Sequence, residues 1–434
     1  MSFRKQTIKD YDVQGKTVLL RADYNVPLDE SGAITDDFRI KQSLPTIQYL
    51  LEQNCRIVIC SHLGRPKDAH DTSCSLQPVA EKLQALLEQE VRFVPDCVGK
   101  AALEATQSLE AGCIALLENL RFHNEEEAND SNFAAELAQH AEVFVQDGFG
   151  VVHRAHASTD AITKQLPSVS GLLLEQEVRA ITDAIEQPQR PLLAIVGGAK
   201  VHDKLKVLKR FVELADVLVI GGAMANTFLQ AKGISIGNSL AEPDDAPLAE
   251  EILQLAQERS KNSDFLLYLP QDAVVTKALT PQAPTRIVDW GSHVFADIEA
   301  YPKRPAGEMT ELAEDDMIAD IGPYSGAFIA GLIQLCKTVI WNGAMGVTEI
   351  KGLQGPIGPY SHGTHTIVEA CGGVFGNKPM SITGGGDTVG YLESISAIEN
   401  FDHVSTGGGA SLDLLAGTPL PGVEALLDNE SSTG

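Results

Sequence analysis

Two runs of three glycines stand near the C-terminus, in SITGGGDTVG (Ser381–Gly390) and HVSTGGGASL (His403–Leu412), each after a short apolar segment. Glycine is entropically costly in ordered structure, so its repeated use points to a backbone role. Bare backbone at a strand end lets a phosphate approach closely, and the N–H groups of the next helix then face the anion. The first run adds a carboxylate, Asp387, and a hydroxyl, Thr388. A carboxylate beside phosphates suits a magnesium ion shared with phosphate oxygens and water. VGGAKVHDK (Val196–Lys204) adds Lys200 and Lys204 at i and i+4; the two share a face if a helix starts near Lys200. The first half of the chain collects Arg21, Arg39, His62, Arg65, Arg121, His153, Arg154 and His156 at the ends of apolar runs or just after them. The planar fork of arginine matches carboxylate and phosphate oxygens, so this set suits a small polyanion, with Asp23 and Asn25 placed to bond its hydroxyl.

Each signal alone is weak. A lone glycine turn is usually only a turn, and a lone arginine usually makes a surface ion pair. The chain carries neither GxxxxGK[ST] nor GxGxxG, so the two common nucleotide fingerprints fail. HRAH (His153–His156) and HGTH (His362–His365) have metal-like spacing without a third ligand in view. His70, His140 and His293 read as ordinary surface residues.

The elements that must position these groups are short β-branched runs alternating with longer amphipathic stretches. Runs such as TVLLRADYN, CRIVICSHLG, LLAIVGGAK, FLLYLPQDAVV, MIADIGP and TVIWNGAMG alternate with LQPVAEKLQALLEQ and APLAEEILQLAQERS. That rhythm implies parallel sheets covered on both faces. In such sheets ligands bind beyond the carboxyl ends of the strands, where the distinctive residues fall. A helix-like stretch, GLLLEQEVRAITDAIEQPQRP, precedes a boundary near Pro191 and suits a hinge.

The 434 residues fit two domains. A net charge of −26 argues against a nucleic-acid surface. No apolar run approaches a membrane span, and the start lacks the apolar core of a secretion signal; the expected location is the cytoplasm. Seven cysteines without a CxxC pair suggest free thiols. One domain for a polyanionic metabolite and one for a magnesium nucleotide describe a phosphotransferase that closes to exclude water.

The chain resembles the phosphoglycerate kinase family over nearly its whole length, through RADYNVP, DDFRI, SHLGRP, LENLRFH, DGFGVVHRAH, GGAKVHDK, GGAMANTF, DIGP, WNGAMGV, GGGDT and STGGGAS. The resemblance implies an α/β fold of two similar-sized Rossmann-like domains with parallel sheets joined by a hinge helix. Residues 1–172 would bind the triose, 173–190 form the hinge helix, 191–405 bind the Mg-nucleotide, and 406–434 return to the first domain. It implies reversible in-line transfer between 1,3-bisphosphoglycerate and Mg-ADP, giving 3-phosphoglycerate and Mg-ATP, by a monomer. Asp23, Asn25, Arg39, His62, Arg65, Arg121 and Arg154 match triose-binding positions. Arg39, Lys200, Lys204, Gly385 and Gly408 match positions at the transferring phosphoryl. Lys204, Glu349, Gly385, Gly386, Asp387 and Thr388 match nucleotide positions, with Glu349 at the ribose and Asp387 at Mg²⁺.

Departures from the family pattern are Ala344 for Pro, Thr348 for Phe, His202 for Ser or Thr, Asn238 for Lys, and Gln146, Gly148, Val151 and Val152 in the stretch that often reads N-D-A-F-G-T-A. The competing readings are a kinase of another acyl phosphate, a weakly active relative that binds nucleotide or metabolite, and a Rossmann-type dehydrogenase, which the missing GxGxxG disfavours.

Overall fold

The computed structural model describes residues 3–68, 71–290 and 312–429; His70 and His293 lie outside the described residues. The chain divides into two compact units. The first takes the chain up to Thr182, with Thr406–Leu414 and the chain from Thr418 onward; the second takes Asp183–Ser405 and Leu415–Gly417. The division falls inside the helix Leu172–Glu186, ahead of Pro191.

The first unit holds six parallel strands: β1 (Thr17–Arg21), β2 (Arg56–Cys60), β3 (Val91–Val94), β4 (Ile114–Leu117), β5 (Val143–Gln146) and β6 (Ser168–Ser170), in the order β3-β4-β2-β1-β5-β6. Side chains alternate across a strand, and here both faces are buried. Leu20, Ile57 and Val145 enter one core cluster, while their neighbours Leu19, Val58 and Phe144 enter another. After β1 the chain turns to one side to form β2, and β5 later pairs on the other side of β1. The connections that leave β1 and β5 therefore lead to opposite sides of the sheet, the switch point at which ligands bind in open α/β sheets.

The second unit repeats the scheme with β7 (Leu192–Val196), β8 (Val217–Ile220) and β9 (Leu266–Tyr268), then, after β10 (Asp272–Thr276), β11 (Thr285–Asp289) and β12 (Met317–Ile321), with β13 (Thr338–Asn342), β14 (Met380–Gly384) and β15 (His403–Val404). The six-stranded sheet is parallel in the order β15-β14-β13-β7-β8-β9, and its strand order reverses between β7 and β13. The remaining strands form a three-stranded antiparallel sheet, β11-β10-β12. Parallel pairing was expected throughout, and these strands depart from it. FLLYLPQDAVV divides into β9 and β10 around Pro270, which lacks the N–H a ladder needs. MIADIGP is β12 of the same small sheet.

No helix among the described residues is long and apolar enough to cross a membrane. All seven cysteines are free thiols.

Candidate active site

In the first unit, the segments after β1, β2, β4 and β5 bring the basic residues to one edge of the sheet. Arg65, Arg121 and Arg154 line a single pocket of 310 Å³ together with His123 and Glu127. Arg65 and Arg154 are exposed. Arg121 is tethered, donating from Nη1 to the Gly64 carbonyl at 2.8 Å and pairing through Nε with Glu127 at 3.0 Å. His123 and Glu127 were not anticipated; RFHNEEE carried them in sequence, but nothing local told them from surface polar groups.

Beside β1 stands a second group. Arg39 donates from Nη1 to the Asn25 carbonyl at 2.9 Å and lies 3.3 Å from Oδ1 of Asp23. The Asn25 side-chain oxygen accepts from the Gly64 N–H at 2.8 Å, which joins this group to the turn carrying Arg65. His62 is 3% exposed, with Nε2 4.0 Å from Asp23. Burial first, then Arg21, Arg121 and Arg39, hold its imidazole well below the ordinary 6.5, so it is neutral at physiological pH. Arg21, counted among the basic set, is buried at 1% exposure and bonds inward. His140 is likewise buried, between Thr106 at 2.7 Å and the Cys97 carbonyl at 3.1 Å, which corrects its reading as a surface residue.

The second glycine run belongs to this unit. Gly408 opens the helix Gly408–Leu415, and Gly407 packs on Gly150 so closely that a Cβ would stand 2.8 Å from the Gly150 Cα. A Cβ on Gly150 would fall 2.1 Å from Oδ2 of Asp23. Bare backbone is what lets the loops after β1 and β5 and this helix meet.

In the second unit, the helix Val201–Leu214 begins after Lys200, its N-cap. The two lysines part: Lys200 is exposed, while Lys204 turns inward. Nζ of Lys204 donates to the Gly197 carbonyl at 2.7 Å and to Oδ1 of Asn342 at 2.7 Å, bridging the ends of β7 and β13 where the strand order reverses. Burial pulls its ammonium down from 10.5 to about 8, against the opposing pull of Asp387 and Asp203. Asn342 was within a quoted motif but not singled out; its role depends on a partner 138 residues away.

Gly385 caps the helix Gly386–Ser394 at φ +100, a conformation that strains any residue with a Cβ. Asp387 is exposed on the first turn, and no hydrogen bond among the described residues claims its carboxylate. It lines a cavity of 220 Å³ with Gly198, Ala344 and Glu349, walled by Leu229, Pro270 and Trp290. Thr388 is not brought to that cavity. It is fully buried, and its hydroxyl oxygen accepts from the Gly343 N–H at 2.9 Å, which ties the residue after β13 to this helix.

The departures find local partners. The Ala344 carbonyl accepts from the Gly198 N–H at 3.1 Å. His202 sits against Asp245, whose carboxylate also accepts the His202 backbone N–H at 3.0 Å. Asn238 donates its backbone N–H to Asp316. The buried Gln146 accepts from the Gly148 N–H at 3.2 Å, and the Val152 carbonyl accepts from Gly422 at 2.9 Å. Nothing in the structure explains Thr348.

A family model described as phosphoglycerate kinase matches residues 8–418. The phosphoglycerate kinase of Moorella thermoacetica is 43% identical over 98% of this chain and 99% of its own. That of Aquifex aeolicus is 44% identical over 99% and 100%. Among solved structures, phosphoglycerate kinase from Coxiella burnetii matches with a TM-score of 0.79 at 33% identity, over 97% of this chain and 98% of that one. The Pyrococcus horikoshii enzyme matches with a TM-score of 0.78 at 28% identity over the same shares.

Proposed function

The chain belongs to the phosphoglycerate kinase family, and from that premise we propose which of its residues carry the transfer. The activity is phosphotransfer with a carboxyl group as acceptor: a phosphoryl group passes between 1,3-bisphosphoglycerate and ADP, giving 3-phosphoglycerate and ATP. In this reading the first unit takes the triose. Arg65, Arg121 and Arg154 bind its phosphate, and Asp23, Asn25, Arg39 and His62 hold its hydroxyl and carboxyl end. The observation that carries the assignment is the convergence of three arginines on one pocket in a chain of net charge −26.

The second unit takes the nucleotide. Glu349 meets the ribose hydroxyls, and the backbone at Gly385 and Gly386 receives the phosphates. The donor set fits Mg²⁺, because Asp387 offers an exposed carboxylate on the turn that follows Gly385 and Gly386, at the cavity that Glu349 also lines. Mg²⁺ suits one carboxylate plus phosphate oxygens and water. When bound, the ion neutralises charge on the phosphates. The acyl phosphate is already activated, so the residues position it and neutralise charge rather than attack. Arg39, Lys200, Lys204 and the N–H groups at Gly385 and Gly408 are assigned to the charge that develops on the phosphoryl. A monomeric state and a cytoplasmic location belong to the same reading.

The test is a coupled assay with 3-phosphoglycerate and ATP, repeated with other nucleotides. Turnover that requires 3-phosphoglycerate is expected. Turnover with a different acyl acceptor and none with 3-phosphoglycerate would overturn the assignment.

A further inference from the structure

His62 has one ring nitrogen turned inward and one turned toward Asp23, and the inward contact decides which of them carries the proton. Nδ1 lies 3.2 Å from Nη2 of Arg21. A guanidinium only donates, so Nδ1 is the bare, accepting nitrogen. Arg21 is itself held on every side. Its Nη1 donates to the Ala22 carbonyl, and its Nε donates to Oγ of Ser158 at 2.8 Å. The Ser158 hydroxyl donates in turn to Oε1 of Glu126 at 2.5 Å, while Oε2 accepts the Ser158 backbone N–H at 3.0 Å. Glu126 is fully buried, and its Oε1 stands 4.0 Å from Nη2 of Arg21. Every hydrogen bond that Arg21 makes in this series has one possible direction, because a guanidinium offers no acceptor.

We propose that Arg21, Ser158 and Glu126 are positioning residues that hold His62 as the Nε2–H tautomer, so that it meets the triose as a neutral hydrogen-bond donor. Nε2 faces Asp23 at 4.0 Å, where Arg39 also approaches Asp23. The groups around His62 are Arg21, Arg39, Arg121 and His156 against Asp23, and the three arginines oppose a charge on its ring. Arg39 supplies the positive charge at this end of the site, and His62 supplies direction. The alternative tautomer would set an N–H against the guanidinium and leave a lone pair facing the anionic ligand, a repulsive arrangement on both sides.

The inference rests on the reading of this cluster as the triose site, and the experiment separates the two. Long-range ¹H–¹⁵N spectra of the whole, ligand-free protein report each imidazole nitrogen. His62 is expected to show an accepting Nδ1 and a protonated Nε2 at every pH from 6 to 8. A protonated Nδ1, or a doubly protonated ring in that range, overturns the proposal. Ser158→Ala removes the acceptor of Arg21 Nε without touching the ligand. It is expected to mix the tautomers and to raise KM for 3-phosphoglycerate roughly 3- to 10-fold with kcat and KM for ATP unchanged, the scale of one hydrogen bond. Ser158→Thr is expected to restore both. A variant that keeps the wild-type tautomer and KM counts against the positioning role. An Nε2 resonance that ignores added 3-phosphoglycerate removes the triose from His62, and an accepting Nδ1 in the same spectrum shows that the network itself still stands.

Discussion

Arg21 and Arg39 are the same residue type, and burial gives them opposite tasks. Arg21 spends its donors on Ser158, Ala22 and His62, whereas Arg39 is half-exposed and bonds only at its edge, to Asn25 and Asp23. Arg39 is therefore the one free to follow a moving charge. Arg39→Ala is expected to lower kcat roughly 100- to 1000-fold, the usual cost of one donor at a developing charge. Its urea midpoint should stay near that of the wild type; a wild-type kcat in the coupled assay would remove Arg39 from the transfer. Titration offers a second check. Burial, then Arg21, lowers His156 from 6.5 to about 4. An unfolded histidine then binds a proton that the folded one refuses, so this stability is whole above about pH 6.5 and is lost as pH falls toward 4. Burial has the opposite effect on Asp147, pushing it from 3.8 up to about 7, so its contribution weakens as pH rises between those values. The stability gap between wild type and His156→Asn is expected to change by on the order of 3 kcal/mol between pH 6.5 and 4, with wild type losing ground as acid is added. Urea titrations across that range measure it, and a gap constant with pH contradicts the burial argument.

Several helices borrow their caps from distant strand ends. Asp272, at the start of β10, accepts the N–H groups of Tyr324 and Ser325 at 2.9 and 2.8 Å, capping the helix Pro323–Leu335. Asp320 of β12 accepts the Gly363 N–H at 2.8 Å under the helix His362–Cys371. Asp147, just past β5, accepts from Leu173 and Leu174 at 2.9 and 3.2 Å under the helix Leu172–Glu186. Each carboxyl group satisfies orphan helix donors at the positive end of the helix dipole, which offsets only part of the cost of burial: Asp147 is still pushed up to about 7 and Asp320 to about 8. A buried cap of this kind locks a strand to a helix, and Asp272 locks the small antiparallel sheet to the rest of its unit. Asp272→Ala is expected to cost about 2 kcal/mol, at the upper end for a lost cap, because the freed N–H groups stay buried. Equilibrium urea unfolding should show it, and a cost below a few tenths of a kcal/mol would mean that water replaces the carboxylate.

At the scale of the whole molecule, each compact unit carries its own six-stranded parallel sheet and its own pocket, and the proposed function gives each unit its own ligand. Ligand binding stabilises the structure that holds it, so protection should be confined to the unit that binds. Hydrogen exchange on the full chain should slow around Asp23–Asn25, His62–Arg65 and Arg121 with 3-phosphoglycerate alone. With Mg-ADP alone it should slow around Gly197–Lys204 and Gly385–Thr388. Protection by 3-phosphoglycerate appearing in the second set instead would reverse the assignment of ligands to units. The strongly negative net charge is compatible with the proposed anion site, because Arg65, Arg121 and Arg154 are gathered into one pocket and surface charge elsewhere is screened within about 10 Å at moderate salt.

The sequence by itself determined the family, the parallel α/β scheme and the strand-end places of the chemistry, because hydrophobic period and motif order are local and survive without coordinates. It showed both triple runs, and the fold requires glycine within each, at Gly385 with φ +100 and at Gly407 against Gly150, since a backbone that must lack a Cβ leaves a mark in composition. Only the tertiary structure decided which side chains are buried and what they bond. Lys200 caps the helix that carries Lys204 one turn on, yet Lys204 alone reaches Asn342 across the sheet. Thr388 follows Asp387 and is sealed beneath Gly343, and His140 is sealed beside Thr106. The antiparallel pairing of β10, β11 and β12 likewise left no local sign. Burial and partner choice are set by residues far apart in the chain, and the physical reason is that a polar group's role depends on what desolvates it and what it bonds, neither of which is written in its own neighbourhood.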